Sequence, residues 1–338
     1  MRLMAAIAVM LAGSALGAGP AWAWGHTGHH QVSLLAMQAL PAELPEELRS
    51  PEAAALVAEL GPEPDLSKGA GNPHDADRDP GHYVDLDEAG RVFGVLPLAE
   101  LPPSRDAYDT RLRTGGVTQY RAGFLPYELL GGWQQVRHDL AWWRAARAGV
   151  RLAPTDADRA WFERLARHRL ALALHDIGVW SHYVADASQP LHVSVHFNGW
   201  GDHPNPRGFS QDRRLHARFE GEFVRRTVAW PAVAAAMPAY QRCDCTPAER
   251  LRDYLGATLA QVVPLYALEQ RGAFQGDGTA DGRAFVTARL AAGASALRDL
   301  LVDAWRDSAT DKVGWPAVSL AELEAGQHPM RAGMFWQD

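Results

Sequence analysis

Along the chain the apolar positions are filled mainly by Ala and Leu set among Arg, and β-branched runs are few. That pattern predicts a mainly α protein, with helices over roughly 28–40, 50–60, 118–148, 158–188, 212–228, 247–271 and 280–307. The clearest start signal is Thr246-Pro247-Ala248-Glu249. Thr caps, Pro suits the first helical position, and Glu three residues on completes a capping box. Two stretches carry no periodicity: 61–82, with Gly, Pro, Asp and Lys, and 193–211, rich in Gly, Asn, Pro and His. Long irregular connections in a folded domain are more often functional than idle.

The start of the chain follows a different pattern. Arg2 precedes an apolar run from Leu3 to Leu16, and Ala21-Trp22-Ala23 offers small residues around a cleavage point. This is the layout of an export signal over residues 1–23, too short and too rich in small residues for a membrane span. Cleavage after Ala23 leaves a mature chain of 24–338 that begins Trp24-Gly25-His26-Thr27-Gly28-His29. Without repeats, low-complexity tracts or a linker, one helical domain is the expectation, secreted or periplasmic and with no stable membrane span.

The net charge of -7 argues against a broad basic footprint for duplex nucleic acid. It leaves open an enzyme whose bound cations supply the positive field. The two cysteines, Cys243 and Cys245, stand one residue apart. A bridge that local is geometrically awkward, so the expectation is free or weakly oxidised thiols.

The chemistry concentrates in His182-Tyr183-Val184-Ala185-Asp186-Ala187-Ser188-Gln189-Pro190-Leu191-His192. Residues four apart share a helix face, so His182 and Asp186 can grip one ion together. Pro190 ends the helix near Ser188 and frees His192 to face a neighbouring cation. His216 and Glu220 repeat the four-residue spacing. Imidazole and carboxylate together suit zinc. Either pair alone most often marks a solvated helix face; the combination carries the argument.

In combination, the chain resembles the superfamily of zinc-dependent phospholipases C and single-strand-specific nucleases, at motif level from Trp24 to Glu220. The residues that carry the resemblance are the mature N-terminal Trp24, a later His, the pattern H-x3-D-x5-H at His182, Asp186 and His192, and H-x3-[DE] at His216 and Glu220. The resemblance implies a multi-helix bundle with long loops around a trinuclear zinc cleft, hydrolysing phosphodiesters with metal-activated water. One zinc would take His82, His182, Asp186 and an Asp upstream of His82. The second would take His192, His216 and Glu220. The third would take the freed α-amine and carbonyl of Trp24 with His29, and Asp186 would bridge. A signal still attached would turn that amine into an amide, a poor ligand, so processing and metal loading are coupled.

Asp65 best fits the upstream ligand, with Lys68 where nuclease relatives usually carry Arg; Asp75, Asp77 and Asp79 are rivals. A calcium loop fails here, because Pro80 stands at the sharp-turn Gly and Leu86 at the bidentate Glu. Asp65 and Lys68 are the catalytic candidates beside the ions. Tyr83 and Asp85 sit where nuclease relatives hold a nucleobase. The short Trp24–His29 interval and the long His192–His216 gap favour single-stranded DNA or RNA as substrate, with 3′-nucleotidase activity open. Glu220 and the run His82-Tyr83-Val84-Asp85-Leu86-Asp87 point instead to a phospholipase C and phospholipid. A non-enzymatic zinc-binding protein is the third reading.

Other residues read more plainly. His26, His30 and His175 are expected at the surface or packed, and His196 and His203 are unassigned near the substrate entrance. Trp142, Trp143, Trp161 and Trp180 are expected in the core, with Trp200 left open. The Arg-rich segment near 144–170 reads as a solvated helix face.

Overall fold

The structure, a computed structural model, describes residues 24–336; the expected export signal lies outside them. The chain is mainly helical, with two minimal antiparallel strand pairs, Arg91–Val92 with Leu96–Pro97 and Lys312–Val313 with Val318–Ser319. Among the described residues no helix is long and apolar enough to cross a membrane.

The scaffold is a long antiparallel helix pair, Leu125–Leu152 and Asp156–Asp186. Thr155 starts the second helix by accepting the Asp158 N–H at 3.1 Å. The pair approaches closely because Gly132 has no side chain: a Cβ there would stand 2.0 Å from Trp180 Cδ1. Against this pair pack Gly25–Gln38, Pro51–Leu60 and Ala280–Ser308, the last two capped by Ser50 and Thr279. One apolar core runs from Trp24 to Trp305, and a smaller one gathers Trp142, Phe162, Met330 and Phe335.

Several expected boundaries shift for identifiable reasons. The 118–148 helix is two, Gln119–Ala122 and Leu125–Leu152. Gly123 separates them at φ 76, where a Cβ would strike the Tyr83 carbonyl at 2.1 Å. The 247–271 helix also divides, into Pro247–Leu259 and Val262–Gln270, while the expected capping box is present. The 61–82 stretch is less irregular than its sequence: it holds helical turns at Glu63–Leu66, His74–Arg78 and Asp79–His82. Turns this short leave no periodic trace. The 193–211 stretch forms no helix or strand.

The cysteine expectation is corrected. Cys243 and Cys245 form a disulfide with Cα atoms 5.2 Å apart, within the ordinary span of such bridges. A bend at residues 244–245 brings the two side chains to one side.

Candidate metal centre

The Asp156–Asp186 helix ends inside the protein. His182 and Asp186, one turn apart, are both fully buried, with His182 Nε2 3.4 Å from Asp186 Oδ2. Helical order stops at Asp186, and the turn Pro190–His192 redirects His192 to the same region. The 212–228 stretch, expected as one α-helix, is helical over 215–227 and contains a π-helical segment, Arg218–Phe223. Such widened turns recur at functional sites. This one carries Glu220, whose Oε2 lies 2.8 Å from His216 Nε2 and 3.7 Å from His192 Nε2.

Three buried clusters have the donors and spacing to hold metal ions: His29 with His182 and Asp186; Asp65 with His82 and His182; and His192 with His216 and Glu220. Asp186 joins the first two, its Oδ1 3.4 Å from His29 Nε2 and its Oδ2 3.2 Å from His82 Nδ1. Donor atoms on a tetrahedral zinc at about 2.1 Å stand ~3.4 Å apart. The separations here, 2.8 to 4.0 Å, bracket that value.

Positioning bonds orient the rings. The Gly61 carbonyl accepts from His182 Nδ1 at 2.9 Å, and the His82 carbonyl accepts from His192 Nδ1 at 2.7 Å. Carbonyls only accept, so both Nδ1 atoms carry hydrogen and both Nε2 atoms present lone pairs to the clusters. Gln189 ties the third cluster: its Nε2 donates to Glu220 at 3.2 Å and its Oε1 accepts from Leu191 N at 2.6 Å.

The electrostatics ask for cations. Both ring nitrogens of His29, Asp186 Oδ1, His192 Nε2 and Glu220 Oε1 are buried with no hydrogen-bond partner among the described residues. Buried polar atoms are otherwise almost always paired. Burial first, then neighbouring His182, holds His29 and His82 well below the usual imidazole range. Burial brings His216 down to about 3. These rings are neutral, the form that binds metal. Burial also pushes Asp186 well above the carboxylate range and Glu220 up to about 7. Three carboxyls, Asp65, Asp186 and Glu220, share this interior with one ammonium, Lys68, 2.5 Å from Asp65. Divalent cations would favour the ionised forms of Asp186 and Glu220 and satisfy the orphaned atoms.

The clusters open onto a cavity of about 490 Å³. Lys68, Tyr83 and Asp85 line it, as do Phe93, Arg121 and Phe197, which sequence reasoning did not single out. Phe93 carries one visible signal in the fold, a left-handed backbone (φ 47) rare for a non-glycine residue. Burial pushes the Asp85 carboxyl well up, with nearby Arg121 opposing.

The remaining candidates separate clearly. Asp65 is the inward carboxylate, 3.7 Å from His182 Nε2 and 4.0 Å from His82 Nδ1. Asp75 instead accepts from the Gly69 and Gly71 N–H groups, Asp77 is exposed, and Asp79 lines the cavity edge. Trp24 is fully buried, its indole N–H shared between the Ala185 carbonyl (2.9 Å) and Ser188 Oγ (3.0 Å), the residues beside Asp186. Its carbonyl accepts the Gly28 N–H at 3.1 Å, which occupies one of two lone pairs. His26 is exposed, and His175 pairs with Asp176 at the surface. His196 is buried outside the three clusters, stacked on Trp200, which is itself core. No family model, curated protein or solved structure matches this chain.

Proposed function

We propose that this chain is an exported, metal-dependent phosphodiesterase of the zinc-dependent phospholipase C and single-strand nuclease type, cleaving single-stranded nucleic acid or nucleotides. The observation that carries the reading is the convergence of His29, Asp65, His82, His182, Asp186, His192, His216 and Glu220, with their orphaned buried atoms, at the floor of an open cavity. Trp24 packed beside Asp186 supports a freed N-terminus as a further ligand, with three zinc ions as the full complement.

Bound zinc supplies positive charge for the phosphodiester and makes an attacking water acidic enough to act at neutral pH. The chain's own residues do the rest. The Gly61 and His82 carbonyls hold the two imidazoles with Nε2 inward. Lys68 places a point charge at the cavity edge, held by Asp65. Tyr83, Phe93 and Phe197 offer apolar faces on which an unpaired base can stack, worth about 1–3 kcal/mol per base. Asp85, favoured in its neutral form by burial, can donate a hydrogen bond to a base edge.

A second reading, a phospholipid substrate, is favoured by an exposed apolar side chain at the cavity: Phe197 is 41% exposed. The test offers the zinc-loaded mature protein single-stranded DNA, duplex DNA, RNA and phosphatidylcholine micelles. Turnover of single strands well ahead of duplex and lipid is expected. Turnover of lipid alone selects the second reading, and no hydrolysis of any phosphodiester overturns both.

A further inference from the structure

We propose that the Cys243–Cys245 disulfide is a thiol-exchange site, opened at Cys243 by a low-molecular-weight thiol with Cys245 as the departing sulfur. These are the chain's two cysteines, and their bridge closes a loop with a sequence separation of 2. A cross-link stabilises mainly by shortening the loops of the unfolded chain, and a loop this short gives the least. Neither cysteine belongs to the core, and both are partly exposed. The bridge is therefore placed for access rather than for holding the fold.

Two further features point to exchange. The 13-residue helix Pro247–Leu259 begins two residues after Cys245. The positive end of its dipole favours a thiolate on the nearer sulfur and so a better leaving group. Four acids face the bridge, Asp244, Glu249, Asp303 and Asp307, against three guanidiniums, Arg242, Arg250 and Arg306, so the helix end and not the net charge favours the thiolate. Both cysteines also line a cavity of about 430 Å³, the scale of a small molecule, together with Trp133. The Trp133 indole N–H is buried with no acceptor among the described residues.

A thiolate attacks Cys243 Sγ, the Sγ–Sγ bond breaks, and its electron pair leaves on Cys245, which takes up a proton. A second thiol then attacks the mixed disulfide on Cys243, releasing the small-molecule disulfide and a second protonated cysteine. Two thiols are oxidised, and the protein gains two electrons and two protons.

The test incubates the native mature protein with about 5 mM reduced glutathione, then acid-quenches, alkylates and maps adducts by mass spectrometry. An adduct on Cys243, at least ~10-fold above any on Cys245, is expected within minutes. A bridge that reacts only after urea unfolding overturns the proposal, as does equal labelling of the two sulfurs. Cys243→Ser and Cys245→Ser, which alter only an exposed loop, give an independent check. The remaining Cys245 should alkylate about tenfold faster at neutral pH than the remaining Cys243, and equal rates remove the direction of opening.

Discussion

The Asp156–Asp186 helix buries its two ends in opposite ways. Near its start Phe162 is fully buried against Phe335 and Trp161, with edge-on ring contacts at 6.2 and 4.8 Å. Near its end His182 and Asp186 are just as buried, but among nitrogen and oxygen atoms that lack partners. The first end is complete as folded, because apolar burial needs no further group. The second leaves donors and acceptors unpaired that bound cations could satisfy, because desolvated carboxyls and imidazoles lose water and gain too few bonds in exchange. Depth of burial does not separate structure from function here; unmet hydrogen-bonding capacity does.

The sharpest break of that contrast is Asp186→Ala. Hydrolysis should fall by about 10²–10³-fold or more, with metal lost on elemental analysis, because this side chain joins two clusters. Retained activity with full metal content would remove the site. At the other end, Phe162→Ala should cost about 3–5 kcal/mol in denaturant unfolding while metal content stays unchanged. Loss of metal in a folded Phe162 variant would show that the two ends are not independent. A mature chain extended by one Met ahead of Trp24 should bind one zinc fewer, counted by mass spectrometry under native conditions. An unchanged count would exclude the N-terminus as a ligand.

The smallest effect lies between the two ends. Asp139, buried opposite Asp176, is pushed up to about 7 by burial and then by that neighbour. A carboxyl raised in the folded state contributes most below its unfolded pKa, near 3.8. That contribution is lost as pH rises toward about 7. Asp139→Asn should therefore stabilise the protein at pH 8 by roughly 1–2 kcal/mol, discounted for solvent around Asp176, and by nothing near pH 4. A variant less stable than the parent at pH 8 would mean that Asp139 is ionised and paired.

Local signals were readable where they are short-ranged. The Thr246–Glu249 capping box and the four-residue spacings at His182/Asp186 and His216/Glu220 need only neighbouring residues to form. Breaks caused by distant contact were not readable. Gly123 interrupts a helix because Tyr83 approaches it, and the π turn under Glu220 leaves no mark in its local sequence. Phe93, Arg121 and Phe197 come to the cavity from a turn, a short helix and a loop, with nothing in their immediate sequence to announce it.

Residue types and spacing by themselves determined a helical chain with imidazoles and acids paired on helix faces, since a helix repeats every few residues whatever surrounds it. Only the tertiary structure decided which of four aspartates points inward, that Cys243 meets Cys245, and which nitrogen of each ring faces the clusters. His182 is oriented by a carbonyl 121 residues away, at Gly61. Choices of that kind depend on where remote segments of backbone come to rest, and local spacing carries no information about that.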